Sequence, residues 1–440
     1  ADTLEELPLV ENATGPVHTP DFAHTDAEVV FGDLGALLLD AGMSVTDVRA
    51  SLEQVRDATA PEEALAFAVL PQHVLVSRPR TAGATTIGAS TGAELTFRQS
   101  AHASRLARRL EVGKLSLDQV PAHVERIRGL PRRHPMLQRL VGGGLLSMGL
   151  AMLFRCPWWA IVLALLVGAV VGAISTLMSR FRPAAAIVPF VASFVSTILV
   201  GAADAWLDLG PVPLFAVCAP IALLVPGALI TNALLELTAA DIVTGAARLT
   251  YGIIMLGFMS AGIFAGGVLT GLRIDPDSAA LVGQAAGVTA DHGGWQALPP
   301  LWLSWIGVVL LAIGIGLAFG AGFRLSVVSV LVMTCTYAAL VTLTPLTGNT
   351  VATGIAAALL FVAARLLERV TLAVPATVSF QPAFLLLVPG TVGLVAMTSF
   401  DSDALAAAPM IFVSLCIGTK VGALVADAAR ITHSASVPAA

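Results

Sequence analysis

The most informative stretch of the chain is residues 223–236, which read Leu-Leu-Val-Pro-Gly-Ala-Leu-Ile-Thr-Asn-Ala-Leu-Leu-Glu. It begins as an apolar run suited to lipid, and Pro226 and Gly227 then interrupt that run. Proline removes a backbone donor and clashes with the preceding helical turn, while glycine lacks the side chain that favours helical geometry. An unpaired backbone group in hydrocarbon is costly, so such an interruption survives only inside protein or beside a water-filled cavity. The stretch therefore predicts a broken membrane helix beside a polar cavity.

The composition places the chain among integral membrane proteins. Its 440 residues are 56% hydrophobic and 12% charged, with a mean hydropathy of +0.85. A soluble globular chain carries about 25% charged residues. Most of the charge lies within residues 1–139, and no basic patch suggests a nucleic-acid partner.

Before the first long apolar run, the sequence predicts a disordered tail at 1–26 and a small soluble α/β domain at 27–131, which we expect in the cytoplasm. Apolar residues recur at helical spacing from Ala27 to a stop signal at Gly42, and Ser44 begins a second helix. Short strand-like segments and two amphipathic helices follow, at 64–77, 85–87, 99–111 and 116–129.

Catalytic and cofactor motifs are missing from the sequence. It has neither a Gly-rich phosphate loop ending in Lys-Ser/Thr nor a His-Glu-x-x-His pair. The cysteines lie in or beside apolar runs without C-x-x-C spacing, which favours packing over metal binding or disulfides; they are Cys156, Cys218, Cys335 and Cys416. We therefore expect a protein that is not an enzyme and that needs no cofactor or metal.

The remainder of the chain predicts ten transmembrane helices, because a helix of about 20 residues spans the hydrocarbon core. The first half (137–270) holds five of them and the second half (300–428) the other five, with an extracytoplasmic loop at 271–299 between them. The candidates are 137–154, 158–178, 184–205, 212–236, 243–270, 300–321, 325–344, 349–367, 372–399 and 405–428.

Basic residues predict the orientation of these helices. With the N-terminal side inside, the outer loops carry only Arg155 and Arg273, and the positive-inside rule then places both termini in the cytoplasm. Tryptophan prefers the membrane interface, and all six tryptophans fall at predicted outer ends or in the outer loop. The inner arginines are Arg180, Arg182, Arg248, Arg324, Arg365, Arg369 and Arg430.

A second interruption suggests an internal repeat. The pentapeptide Leu-Leu-Val-Pro-Gly recurs at 386–390, which places Pro389 and Gly390 in the ninth helix. The fourth and ninth helices are five apart, so the two broken segments cross the bilayer in opposite directions. The sequence thus predicts a five-plus-five inverted repeat, in which broken helices form the binding site of an alternating-access transporter.

Polar residues just after the first break are the candidate substrate ligands. Asn232 and Glu236 are four apart and share one helix face, and Thr231 adds a hydroxyl. Together with Pro226, Gly227, Pro389 and Gly390, they form the predicted substrate-binding set. Free N–H groups at a break suit a substrate carboxylate, while Glu236 suits an ammonium and could couple transport to protons.

Four residues are candidates for coupling or gating, namely Glu236, Asp241, Arg248 and Lys420. An alternative interpretation makes Glu236, Asp241 and Arg248 interfacial charges that form a cytoplasmic salt bridge. Lys420 lies within the last helix, where an ionisable residue indicates function by default; snorkelling to the inner interface is the alternative.

Several motifs resemble the threonine/serine exporter family. Val225-Pro226-Gly227, Asn232-x-x-x-Glu236, Asp241 and Gly245-Ala246-Ala247-Arg248-Leu249 resemble its membrane signature. The block from Leu37 to Val48 and the element Lys114-Leu115-Ser116-Leu117 resemble its soluble domain, with Leu115 where isoleucine is usual. The resemblance covers about residues 28–425, and aspartate often stands in the family where this chain has Glu236.

This resemblance implies a bacterial inner-membrane exporter of threonine and serine, driven by the proton motive force, with ten helices and a cytoplasmic N-terminal domain. Its partners would be a small-molecule substrate, protons and the lipid bilayer, and the sequence leaves a homo-oligomer open. Relatives built from two chains are linked to dicarboxylate export, so small dicarboxylates such as succinate are an alternative cargo. A passive small-solute channel is a second alternative.

Overall fold

The structure is a computed structural model of the 440-residue chain. It describes residues 27–78, 85–92, 95–132, 134–181, 187–275, 278, 294–371, 383, 386–387, 410–411 and 413–426. The predicted tail at 1–26, most of the predicted loop at 271–299, and Pro389 and Gly390 lie outside the described residues. Most of the ninth predicted helix lies outside them too.

Residues 27–132, which we call the N-terminal unit, combine four helices with a small antiparallel sheet. The sheet order is β1-β2-β3, with Val69 opposite Val74 next to the first turn. The elements are α1 (Ala27–Asp40), α2 (Val45–Thr59), β1 (Ala66–Val69), β2 (His73–Ser77), β3 (Thr86–Ala89), α3 (Phe97–Glu111) and α4 (Val120–Arg128).

Helix α1 lies at the centre of this unit. Its residues from Val30 to Asp40 are buried except Asp33, because the helix contacts the sheet on one side and α2, α3 and α4 on the others. Gly88 of β3 lies directly against the backbone of Gly32, where an added side chain would overlap it. The unit therefore has an apolar core of its own, separate from that of the helices that follow.

The rest of the described chain is almost entirely helical. Five of its helices are long and apolar enough to cross a membrane, or six if a bent pair counts as one span. Large apolar side chains such as Phe264, Val268 and Leu269 are exposed on the helix surfaces, as lipid contact requires. The helices are α5 (Pro135–Leu153), α6 (Trp158–Met178), α7 (Val188–Leu207), α8 (Leu214–Ile221), α9 (Gly227–Thr238), α10 (Ile242–Thr270), α11 (Leu303–Ala318), α12 (Phe323–Thr371) and α13 (Val413–Ala426).

Two helices differ in length from a simple span. Helix α11 has 16 residues, about 24 Å at 1.5 Å per residue, because Pro299 and Pro300 precede it and Gly320 (φ +68°) follows it. Helix α12 has 49 residues but is interrupted at Gly348, whose φ of 78° and ψ of 163° are not helical. The segments predicted at 325–344 and 349–367 lie on either side of that interruption.

Small residues allow the helices to pack closely. Helix α5 contacts α6 on one side and α11 on the other, and a side chain on Gly142 would overlap the backbone of α11 at Gly314 and Ala318. Helices α7 and α10 pack in the same manner, with Gly266 against Thr197. Close approach of this kind drives helix association in membranes, where lipid is as apolar as the side chains.

Candidate functional site

The chain bends sharply at Pro226 and Gly227. A short 3-10 turn (Ala222–Leu224) extends α8, and the axis then changes direction by 70° before α9. Pro226 has non-helical dihedrals (φ −76°, ψ 48°), and Gly227 donates its N–H to the carbonyl of Val225 at 2.7 Å. These three residues are buried, in keeping with the rule that a broken helix needs protein or water around its backbone.

Glu236 is the buried charge of α9. Its side chain is 0% exposed, and its Oε1 accepts a hydrogen bond from Arg248 Nη1 at 2.5 Å. Oε1 also accepts the main-chain N–H of Val45 at 2.9 Å, whereas Oε2 has no hydrogen-bond partner within the described part of the chain. The structure therefore contains the salt bridge between Glu236 and Arg248 that the alternative sequence interpretation proposed. This salt bridge is largely buried and not solvated at the membrane interface.

In the contact with Val45, a side chain of the helical bundle caps a helix of the N-terminal unit. Val45 is the first residue of α2, and Ser44, as N-cap, accepts the N–H of Asp47 at 3.1 Å. The first N–H groups of a helix lack partners within the helix and carry the positive end of its dipole. The Glu236 carboxylate therefore caps the N-terminus of α2.

Asn232 makes a second contact with the same turn. Its Nδ2 donates to the carbonyl oxygen of Gly42 at 3.0 Å, one helical turn from Glu236. Thr231, the neighbouring candidate, is buried, and its hydroxyl has no hydrogen-bond partner among the residues described. Thus Asn232 and Glu236 lie on one face of α9, and that face meets the α1–α2 turn.

The other two residues predicted for coupling or gating, Asp241 and Lys420, differ in their contact with Glu236. Asp241 lies at the α9–α10 turn, where its N–H donates to the carbonyl of Glu236 at 2.9 Å. Lys420 is half-buried on α13, and no ion pair within the described ranges includes it. The structure thus brings Asn232, Glu236 and Arg248 together and leaves Lys420 outside their hydrogen-bond network.

The N-terminal unit is attached at a second place. The N–H groups of Phe97 and Arg98, which open α3, donate to the carbonyls of Phe319 and Gly320 after α11, at 2.9 and 3.4 Å. The rings of Phe97 and Phe319 stack with centroids 5.2 Å apart. Two helices are therefore joined end to end, which satisfies two of the free N–H groups of α3 and two carbonyls after α11.

Gly42 and Val45 are site residues that the sequence interpretation did not find. Both act through main-chain atoms, which leave no side-chain signature, and Val45 is 191 positions from Glu236. The available signal was the Ser44-x-x-Asp47 pattern, which marks a helix start and hence a set of free N–H groups. It gives no indication of which acceptor those groups meet.

A bundle of apolar helices with a buried ion pair beside a helix break defines a multi-helical membrane protein. The chain belongs to the family described as "Putative threonine/serine exporter" (ThrE), which it matches over residues 30–270, more than half of its length. This match confirms the resemblance seen in the motifs, over a shorter range than the motifs suggested. It includes both sides of the Val45–Glu236 contact. None of the curated proteins and none of the solved structures with which the chain was compared matches it.

Proposed function

We propose that the protein is a secondary active exporter of threonine and serine, coupled to protons, in a bacterial inner membrane. The observation that carries this proposal is the largely buried Glu236–Arg248 pair, which joins α9, the helix that follows the break, to α10. A neutral amino acid is a zwitterion, and one carboxylate opposite one guanidinium is its electrostatic complement. The choice of threonine and serine as the cargo follows the description of the family to which the chain belongs.

Each group of the substrate has a candidate partner in the site. The ammonium would bind the Glu236 carboxylate, whose Oε2 is buried without a hydrogen-bond partner in the described ranges. The substrate carboxylate would bind Arg248, whose planar guanidinium suits two-point recognition of a carboxylate. The side chains of Thr231 and Asn232 would bind the hydroxyl that distinguishes threonine and serine from apolar amino acids.

The charge balance favours amino acids over dicarboxylates. A dianion such as succinate would need two cations, and the site has one guanidinium that already faces a carboxylate. Placing a second negative charge beside Glu236 would be unfavourable, because like charges in a region of low dielectric repel strongly. The zwitterion adds no net charge to the site.

Proton coupling is proposed to run through Glu236. Carboxylates inside membrane domains commonly mark proton relays. Protonation of Glu236 would weaken both the pair with Arg248 and the site for an ammonium. Proton binding from outside and substrate binding from inside would then exclude each other, as antiport requires.

Alternating access would use the break at Pro226–Gly227 and its repeat at Pro389–Gly390. Similar packing in the two halves of the chain supports this repeat. In the first half Gly262 and Gly266 of α10 contact α7, and in the second half Gly418 of α13 meets Gly354 of α12. The basic residues favour both termini in the cytoplasm, so the N-terminal unit would cover the inner end of the bundle.

The test is transport by the full-length protein in proteoliposomes. We expect an imposed pH gradient to drive accumulation of labelled threonine, and excess serine, but not succinate, to compete. A channel would be indicated if the pH gradient had no effect and the threonine concentration only became equal on the two sides. Competition by succinate rather than serine would replace the amino-acid cargo with dicarboxylates.

A further inference from the structure

The turn between α1 and α2 covers the candidate site. We call residues 42–45 the latch, because they contact α9 at two of the three predicted polar ligands, Asn232 and Glu236. The Gly42 carbonyl binds the Asn232 amide and the Val45 N–H binds Glu236. Ser44 and Val45 are buried, and the Glu236 side chain is 0% exposed. A solute approaching from the N-terminal unit therefore reaches Glu236 only after the latch moves.

The N-terminal unit also meets the helices through an ion pair of Asp47 with Arg365 at 3.8 Å, but the Phe97–Phe319 attachment and the latch differ most in chemistry. The Phe97–Phe319 attachment combines stacked rings with main-chain hydrogen bonds, and neither ring carries a charge. The latch is polar, and its partners are the groups assigned above to bind substrate. A solute that binds Glu236 would leave the first attachment intact and would compete with the second. The first attachment is therefore suited to act as a hinge.

We propose that the latch is an autoinhibitory gate, which occupies Glu236 and Asn232 and is displaced by the amino-acid substrate. This inference rests on the proposed function and adds a regulatory element to the same site. The N-terminus of α2 presents a partial positive charge to Glu236, as the substrate ammonium would. Latch and ammonium thus compete to balance the charge of one carboxylate, whose Oε1 the latch N–H already holds.

A single substitution separates the latch hydrogen bond from the fold of α2. Val45→Pro removes the N–H that Glu236 accepts, and proline is favoured at the first position of a helix. Ser44, which would precede it, already has φ −67° and ψ 152°, the region that a following proline requires. Val45→Ala is the matched control, because it shortens the same side chain and keeps the N–H.

The gate is monitored by the distance between spin labels at Gln54 of α2 and Thr238 of α9, both exposed, in full-length protein carrying Cys335→Ser. We expect Val45→Pro to lengthen this distance without substrate, and threonine to lengthen it in the unsubstituted protein. The threonine concentration for half-maximal transport should fall about tenfold in Val45→Pro, the scale of one hydrogen bond to a charged group. Val45→Ala should keep the short distance without substrate, because its N–H still donates to Glu236.

Equal distances and equal transport in Val45→Pro and Val45→Ala would overturn the gate while leaving the exporter assignment in place. A longer distance in Val45→Pro without any threonine transport would support the latch and reject the proposed cargo. If Val45→Pro does not fold, hydrogen exchange in the unsubstituted protein tests whether threonine displaces the latch. Threonine should then accelerate exchange in peptides covering 43–48, and unchanged protection would overturn the proposal.

Discussion

The main-chain N–H of Val45 and the side chain of Glu236, 191 positions apart, are joined by a hydrogen bond of 2.9 Å. This contact links the N-terminal unit to the one buried ion pair in the described part of the membrane bundle. It makes Glu236 responsible for two interactions, one with Arg248 and one with the α1–α2 turn. Changes at this carboxylate should therefore affect stability as well as transport.

The first prediction separates these two effects. Glu236→Gln should abolish transport and lower the free energy of unfolding by about 3 kcal/mol, because Arg248 would remain buried without a counter-charge. Replacing both partners, as Glu236→Gln with Arg248→Met, should restore much of that stability and leave transport absent. Thermal unfolding and threonine uptake are measured on the same preparations.

Glu125→Gln is the matched control, since it makes the same change on the exposed surface of α4. It should leave stability and transport unchanged. Normal transport in Glu236→Gln would remove this residue from the substrate site. A double variant no more stable than the single one would show that the ion pair contributes little.

The second prediction concerns helix packing and compares two adjacent glycines. A Cβ on Gly266 would lie 2.8 Å from the Cβ of Thr197, while nothing lies within 4 Å of one on Gly267. Gly266→Leu should therefore push α10 away from α7 and destabilise the bundle by about 1–3 kcal/mol, as overpacking does. Gly267→Leu should be neutral. Thermal unfolding in detergent compares the two, and equal effects would contradict the packing described.

The third prediction tests the end-to-end attachment of α3 to α11. Phe319→Ala removes one of the two stacked rings, which should weaken the attachment by about 1 kcal/mol beyond the lost apolar contact. Hydrogen exchange in the first turn of α3 should increase, because the N–H groups of Phe97 and Arg98 donate across this junction. Phe323→Ala, at a side chain that is 77% exposed, is the control. Equal exchange in both variants would argue against the attachment.

The sequence predicts features that depend on local chemistry. Proline and glycine cannot continue a helix in lipid, so the bend at residues 226–227 follows from residue type alone. The resemblance to the exporter family likewise rests on side chains in short motifs. The spacing of Asn232 and Glu236 places them on one helix face, although it does not indicate what that face meets.

The long-range contacts of the site were not predictable in the same way. The Val45 N–H and the Gly42 carbonyl exist in every sequence that contains a turn there, and only the tertiary fold aims them at α9. The ion pair was one of two interpretations, because a charge near a helix end is solvated or buried according to what packs above it. In this protein the N-terminal unit packs there and buries it.

The fourth prediction is a pH dependence of the N-terminal unit, caused by His102 of α3. Burial, and to a smaller extent the charges of Arg105, Arg98 and Arg109, together lower the pKa of His102 from 6.5 to about 4. Between these two values the unfolded chain binds a proton that the folded unit does not. The free energy of unfolding therefore falls as the pH drops from 6.5 towards 4, and this contribution is fully present above 6.5.

His102→Gln should remove that part of the pH dependence, because glutamine does not titrate. Pulse proteolysis of the full-length protein in urea, at about pH 7 and about pH 5, measures the stability of the unit on either side of the unfolded-state pKa. The loss of stability on acidification should be smaller in His102→Gln than in the unsubstituted protein. His73→Gln, at an exposed position on β2, should leave it unchanged. An identical loss in all three proteins would mean that groups other than His102 set the acid sensitivity of the unit.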